Sequence, residues 1–481
     1  MSKLLKTFWS DWQVGLAAVV ILAAGAGLVS AWLIPRGPIT TAQVLVSMTA
    51  ALLVGVAAGV MMGNWWSLLV TPVVFVAAFE LARIGVEGPT VDGIHLGSTY
   101  GIIAFVLGRL MHAIVVLVPL VLGATYGVWL ASLIGREPAV QVGVLGWAVT
   151  GFTTLGLIAL AVAFARPGKT PPIIGPDGEP LPGSVAEITT VSLGGHAQTV
   201  MIRGRSVDNP VLLYLAGGPG GTDLGAMRAD VGLEQHFVVA TWEQRGVGKS
   251  YTALDPVETL TLEQMMRDTV ELTHYLRERF DEEKIYLMGN SWGTLLGVLV
   301  VEQHPELFHA YVGTGQMVSP RETDIMFYED TLAWAEETGN DALIAELQQS
   351  GPPPYDDLLA YEPAISHEHE WNPYPELDMS KEMPNNLFVP ENTLIDRING
   401  LRSFIDTFSV LYPQIQEIDL RQDVPALAVP VIIVIGAHEA RGRAVLAQEW
   451  FAMLEAPSKE LVVFEHSGHR PSFEEPAAFA S

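Results

Sequence analysis

Hydrophobic and polar positions follow two different rhythms along this chain. From Val14 to Ala165 the sequence is almost continuously apolar, and from Arg166 onward it is a globular mixture rich in carboxylates. A membrane-spanning helix needs about 20 mostly apolar residues. Five segments meet that length: 13–34, 42–62, 65–84, 112–134 and 142–165. The pattern predicts an α-helical transmembrane bundle of about five spans over residues 1–165. Tyr100 to Gly108 is apolar but too short to cross, and reads as a re-entrant or interfacial piece or as an extension of the fourth helix. Lys3 and Lys6 ahead of the first apolar run look like the start of a secretory signal, but the repeated apolar segments behind them favour an anchor.

Residues 166–184 form a Pro/Gly-rich linker, beginning RPGKTPPIIGPDGEPLPG, that is predicted to be extended and to stand clear of both flanking domains. Beyond it, over 185–481, short apolar runs alternate with helical patterns. Ala186 to Val191 and Thr199 to Ile202 flank a Gly194-Gly195 turn, a hairpin signature. Val211 to Leu215, Phe237 to Thr241, Ile285 to Met288, Val429 to Gly436 and Leu461 to Phe464 read as buried strands, and Leu262 to Phe280 as an amphipathic helix. Strands alternating with helices specify a mostly parallel α/β sheet. A stretch at about 315–428 interrupts the alternation with helical segments such as Ile325 to Glu337 and Leu394 to Leu411, and is predicted to be a helical cap inserted between two core strands.

Charge divides the chain at the same place. Residues 1–168 carry seven Lys+Arg and five Asp+Glu, and the remainder nineteen and forty-eight. So acidic a domain repels nucleic acid and anionic head groups, which excludes a DNA-binding role. There are no cysteines, so disulfides, thiolate metal sites and cysteine nucleophiles are excluded. The positive-inside rule sets Lys3, Lys6 and Arg136 against Arg36, Arg109, Arg166 and Lys169. That count fixes no orientation. Glu80 and Arg83, at i and i+3 near the end of the third span, can share a helix face and pair, a role in anchoring or packing rather than in a proton path.

The chemistry concentrates at Gly289-Asn290-Ser291-Trp292-Gly293. A G-x-S-x-G between a buried strand and an apolar helix is a nucleophile elbow, in which glycines flank a turn too tight for side chains and the serine hydroxyl is held above the end of the sheet. Ala216-Gly217-Gly218-Pro219-Gly220-Gly221 brings backbone N–H groups close to a ligand, as an oxyanion hole, a phosphate loop or a plain turn; no Gly-Lys-Ser/Thr follows it to make a Walker loop.

These motifs resemble those of the α/β-hydrolases and, more narrowly, are similar to the proline iminopeptidase group, whose marks are an HGGPG loop, a DQRG-x-G-x-S segment and a GGSWG-type elbow. Here they stand as AGGPG at 216–220, EQRGVGKS at 243–250 and GNSWG at 289–293. The resemblance covers about 185–481. It implies a triad in the chain order Ser291, Glu439, His469. The family places its acid just past the strand ending at Gly436, where Glu439 stands in place of the commoner Asp; Asp423, before that strand, is the poorer candidate. His469 follows the last strand in Ser467-Gly468-His469, with the Phe473-Glu474-Glu475-Pro476 sequence that relatives show behind it. The backbone N–H groups of Gly218 and Trp292 would form the oxyanion hole, and no cofactor is required. Cap carboxylates bind the substrate's free amine in this group; Glu322, Asp324, Glu329, Glu336 and Glu337 are available, none in a motif that aligns. His367-Glu368-His369-Glu370 has metal-like residue types in too short a pattern to indicate a site.

The expected function is a membrane-anchored serine hydrolase cleaving an amide bond through an acyl-enzyme, as an aminopeptidase of proline iminopeptidase type. The alternatives are a carboxylesterase or lipid-directed hydrolase and, third, a non-catalytic ligand-binding module. Substrate would be a small peptide or ester, and the lipid bilayer the other partner.

Overall fold

The computed structural model describes Trp9 and residues 11–135, 143–229, 231–356, 358–374 and 384–481. Lys3, Lys6 and Arg136, on which the orientation count rests, lie outside them. The described residues divide into two compact units, one made of most of the chain before Gly168 and the other of most of the chain from Gly168 on.

The first unit is built from five apolar helices: α1 (Trp12–Leu33), α2 (Thr41–Met62), α3 (Ser67–Ala82), α4 (Thr99–Leu133) and α5 (Val144–Ala165). Four of them, α1, α2, α4 and α5, are long and apolar enough to cross a membrane. The predicted span at 65–84 is the exception. Its helix has 16 residues, a rise of about 24 Å against the ~30 Å of a bilayer core. The Asn64 side chain starts it late by accepting from the Trp66 N–H at 3.0 Å, and the chain leaves helical geometry at Arg83. The segment at 100–108, left open between two readings, joins the fourth helix through a π-helical turn at Val106–Leu110.

Close approach of backbones holds α2 against α4. A Cβ on Gly55 would lie 2.0 Å from the Leu120 carbonyl oxygen, and one on Gly123 would lie 2.1 Å from that of Leu52. Small residues are what let apolar helices pack where no water is expelled.

The second unit is an eight-stranded sheet, β1 (Val185–Leu193), β2 (His196–Gly204), β3 (Val211–Leu215), β4 (Val238–Glu243), β5 (Ile285–Asn290), β6 (Phe308–Thr314), β7 (Val431–Gly436) and β8 (Lys459–Phe464). The strand order is β1-β2-β4-β3-β5-β6-β7-β8. The β1–β2 hairpin and the β2–β4 pair are antiparallel, and every pair from β4 to β8 is parallel. Parallel strands covered on both faces read as continuous apolar runs, as β3 does with all five residues buried. The helices that matter below are α6 (Leu262–Phe280), α7 (Trp292–Gln303), α8 (Pro320–Thr338), α9 (Leu394–Leu411) and α10 (Arg441–Met453). The segments α8 and α9 belong to the helical insertion between β6 and β7.

The linker does not stand clear. Arg203 on β2 donates to the Pro171 carbonyl at 2.7 Å and to Thr170, Lys169 N–H bonds the Pro390 carbonyl at 3.0 Å, and Ile173 is buried. Proline-rich backbone keeps its carbonyl acceptors, and a buried guanidinium with donors to spare fixes it.

Candidate active site

Ser291 is set between β5 and α7 at φ 51°, ψ −120°, a conformation that costs a non-glycine residue about 1–3 kcal/mol. The flanking glycines explain how it is tolerated. A Cβ on Gly289 would lie 2.4 Å from the Gly293 carbonyl oxygen, and one on Gly293 would lie 2.2 Å from that of Leu215 on the neighbouring strand. The turn is then locked: Ser291 N–H bonds Thr314 O at 3.0 Å, Thr294 N–H bonds Ser291 O at 2.8 Å, and Asn290 Nδ2 donates to Thr314 Oγ1 at 3.0 Å.

The glycine loop after β3 runs alongside. A Cβ on Gly217 would be 3.3 Å from Ser291 Cβ, and Gly218 has φ 125°. Gln244 ties loop and elbow together, accepting from Trp292 Nε1 at 3.0 Å and donating to the Ala216 carbonyl at 3.2 Å. Asp223 supports the loop from beneath, taking the Tyr214 hydroxyl at 2.8 Å, the Gly217 N–H at 3.4 Å and a guanidinium N–H of Arg470.

The rest of EQRGVGKS is structural. Glu243 is buried, accepts from Thr222 Oγ1 and from Lys249 N–H at 3.0 Å, and burial pushes its carboxyl up. Arg245 and Asp268, both with 0% exposed side chains, pair at 2.7 Å, and Asp268 also accepts from Gln198 and Gln264. A buried ion pair needs such extra partners to offset desolvation.

Glu439 and His469 stand on neighbouring loops past β7 and β8. His438 N–H bonds Ser467 O at 2.9 Å, which joins the loops, and His469 Nδ1 lies 2.7 Å from Glu439 Oε2. Glu439 is buried and accepts two further bonds at Oε1, from Arg443 Nε at 2.7 Å and from Ala440 N–H at 2.9 Å. Burial alone would raise its carboxyl, but Arg443 and His469 outweigh it and hold the group at about 2. An ionised carboxylate only accepts, so the proton of this bond sits on His469 Nδ1. The His469 loop is fixed by Glu474, which takes the Arg470 N–H at 3.1 Å and the Gly468 N–H at 2.5 Å, and by Glu475, which takes the His466 N–H at 3.1 Å. His469 meets the elbow through one turn: Thr314 accepts from Ser291, and a Cβ on the next residue, Gly315, would lie 2.8 Å from His469 Cε1.

The structure thus gathers Ser291, Gly218, Trp292, Glu439 and His469 at the carboxyl ends of β3, β5, β7 and β8. The other candidates are engaged elsewhere or exposed. Asp423 accepts from Asp419 N–H at 2.8 Å. Glu322 pairs with Arg421 and Glu329 with Arg441, and Glu336 and Glu337 are exposed. Asp324 is buried under Tyr412 and Gln416 at 2.7 and 3.2 Å, and burial pushes its carboxyl up to about 7 against those bonds. In the 367–370 run, Glu368 pairs with Arg443 and His367 Nδ1 lies 2.8 Å from Pro363 O. Sequence reasoning missed Arg443, which stands one helical turn beyond Glu439, stacks over Phe327 at 4.7 Å and joins Glu439 to Glu368. The i, i+4 spacing was its one available signal.

The model of the alpha/beta hydrolase fold family matches residues 210–476. A protein of Bacillus subtilis (strain 168) named "Probable aminopeptidase YbaC" is 31% identical over 311 residues, covering 62% of this chain and 95% of that protein. A "Probable proline iminopeptidase" of Leptolyngbya boryana is 27% identical over 128 residues, 26% of this chain and 36% of that protein. Among solved structures, a proline iminopeptidase-related protein from Thermus thermophilus is 18% identical with a TM-score of 0.44, covering 62% of this chain and 95% of that one.

Proposed function

The chain belongs to the α/β-hydrolase family, and on that premise we propose that it is a membrane-anchored serine hydrolase that cleaves an amide bond, an aminopeptidase of proline iminopeptidase type. The observation that carries the reading is the Glu439–His469 pair at 2.7 Å, set against the turn that accepts the Ser291 N–H. In this mechanism Ser291 Oγ attacks the substrate carbonyl carbon as His469 Nε2 takes its proton, and ionised Glu439 stabilises the imidazolium. The N–H groups of Gly218 and Trp292 receive the oxyanion, a contribution of about 10²–10³ in rate for each donor. His469 returns the proton to the leaving amine, and the acyl-enzyme forms. Water, deprotonated by His469, then attacks the ester carbonyl, and the proton passes back to Ser291 as the acid leaves. Helices α1, α2, α4 and α5 cross the bilayer in this reading and anchor the enzyme.

The test is turnover of the purified full chain on Pro-, Ala- and Leu-naphthylamides beside short-chain nitrophenyl esters, with Ser291→Ala as control. Cleavage that requires the free α-amine and disappears in the variant is expected. Ester cleavage alone would discard the peptidase reading and keep the triad.

A further inference from the structure

The five-helix unit contains a cavity of about 250 Å³ between α3 and α4, lined by none of the candidate active-site residues. Its two ends differ in kind. The helices run antiparallel here, with Phe79 on α3 meeting the His112 ring edge-on at 4.7 Å. One turn further in, the walls are Phe75, Val116 and Leu117, all apolar. At the other end stand Glu80, Arg83, Arg109 and His112.

That polar end is built. Arg83 grips Glu80 with two N–H groups, at 3.0 Å from Nε and 2.7 Å from Nη2, and its guanidinium also lies over the Phe79 ring at 4.8 Å. Arg109 leaves the π-helical turn, an irregularity that is frequent at functional sites. It donates to the Val91 carbonyl at 2.8 Å but is only 3.5 Å from Glu80, and its buried Nε has no acceptor among the described residues. Two guanidiniums therefore share one carboxylate. A cation in apolar surroundings is costly unless it is paired, and the lining lacks one negative charge.

We propose that this cavity binds a long-chain fatty acid, its carboxylate on Arg109 and its acyl chain along Phe75, Val116 and Leu117. The guanidinium fork matches a carboxylate, one anion balances one surplus cation, and the volume, under the ~300–1,000 Å³ of drug-sized sites, suits one chain rather than two. The site lies outside the catalytic centre and does not depend on the reaction proposed there.

The probe is a palmitate analogue carrying a diazirine, photolysed with the full chain in phosphatidylcholine nanodiscs, with labelled peptides mapped by mass spectrometry. Saturable labelling on α3 and α4 is expected, competed by palmitate and not by uncharged hexadecanol. Arg109→Gln should weaken competition about tenfold or more, the loss of a charged hydrogen bond, and Ala113→Phe, which fills the cavity without altering charge, should remove labelling. Ser291→Ala should label as wild type, so failure of the hydrolase reading would leave this result standing. Equal competition by hexadecanol, labelling elsewhere, or unchanged labelling in both cavity variants would overturn the proposal. Hexadecanol competition uses the unmodified protein and decides the matter even if a variant fails to fold.

Discussion

Helices α5 and α7 are written in the same apolar alphabet and end in opposite surroundings. In α7, Leu295, Leu296, Val298, Val300 and Val301 are all fully buried beneath the sheet, whereas in α5 Val144 is 89% and Phe152 80% exposed. The difference is one of length and neighbours. The twelve residues after the Ser291 turn are committed to a protein core by the strands on either side, and 22 residues with few burying neighbours leave an apolar surface that only another apolar medium can cover. The two units also hold together by different means. The sheet unit buries charges such as Arg245–Asp268 inside hydrogen-bond networks, and the helical unit brings backbones together at glycines and keeps Glu80, Arg83 and Arg109 at one end.

The largest effect that tests this contrast is on chemistry. Ser291→Ala should lower kcat by up to about a millionfold while the urea midpoint of the sheet unit stays put, because alanine inherits the same φ and the same N–H bond to Thr314. Retained turnover would mean that the gathered residues are not the catalytic set. Next is Asp268→Ala, which strands the fully buried Arg245 and should cost about 3–5 kcal/mol in chemical unfolding. A loss below about 1 kcal/mol would show that the network is wetter than its geometry.

A smaller effect follows from Asp324. Its native carboxyl holds a proton up to about pH 7, against an unfolded value near 3.8. Between those values the folded state binds more protons, so stability falls as pH rises from about 4 to 7, by up to ~4 kcal/mol. Glu439 acts in the opposite sense and in another window. Held at about 2 against an unfolded value near 4.5, it adds stability above the unfolded value that is lost as pH falls from there toward 2. Asp324→Asn should flatten the upper slope and leave the acid limb in place; an unchanged slope in urea melts between about pH 4 and 7 would show that another group carries it.

How much of this was legible depended on whether a residue's role is set locally. Ser291 was readable because Gly289 and Gly293 encode the turn's geometry in five consecutive positions. Glu439 and His469 were singled out by the resemblance to the proline iminopeptidase group, and the structure sets them 2.7 Å apart on loops past β7 and β8, where a parallel sheet delivers its loops to one edge. Gln244 and Asp223 were not, since what they touch is fixed by the order β2-β4-β3-β5, which no local pattern states. Arg443 offered only its spacing from Glu439. In the helical unit, hydropathy found α1 to α5 but could not see that Asn64 delays α3 or that a π-helical turn lets α4 run through Gly108. The linker was misread for a related reason: its composition predicts an extended chain, and the buried Arg203 that captures Pro171 lies 32 residues further along.

The smallest predicted effect is the most direct test of the contrast. Phe152→Ala removes a large side chain from α5, and burial of such a ring in a protein core makes its loss worth about 3–5 kcal/mol. Phe152 is exposed in this unit, so if lipid covers it, alanine gives up contacts that lipid offers in the folded and unfolded helix alike, and thermal stability in nanodiscs should change by less than ~0.5 kcal/mol. A loss above about 1 kcal/mol would require protein on that face, either a second copy or another chain, and α5 would then resemble α7 after all.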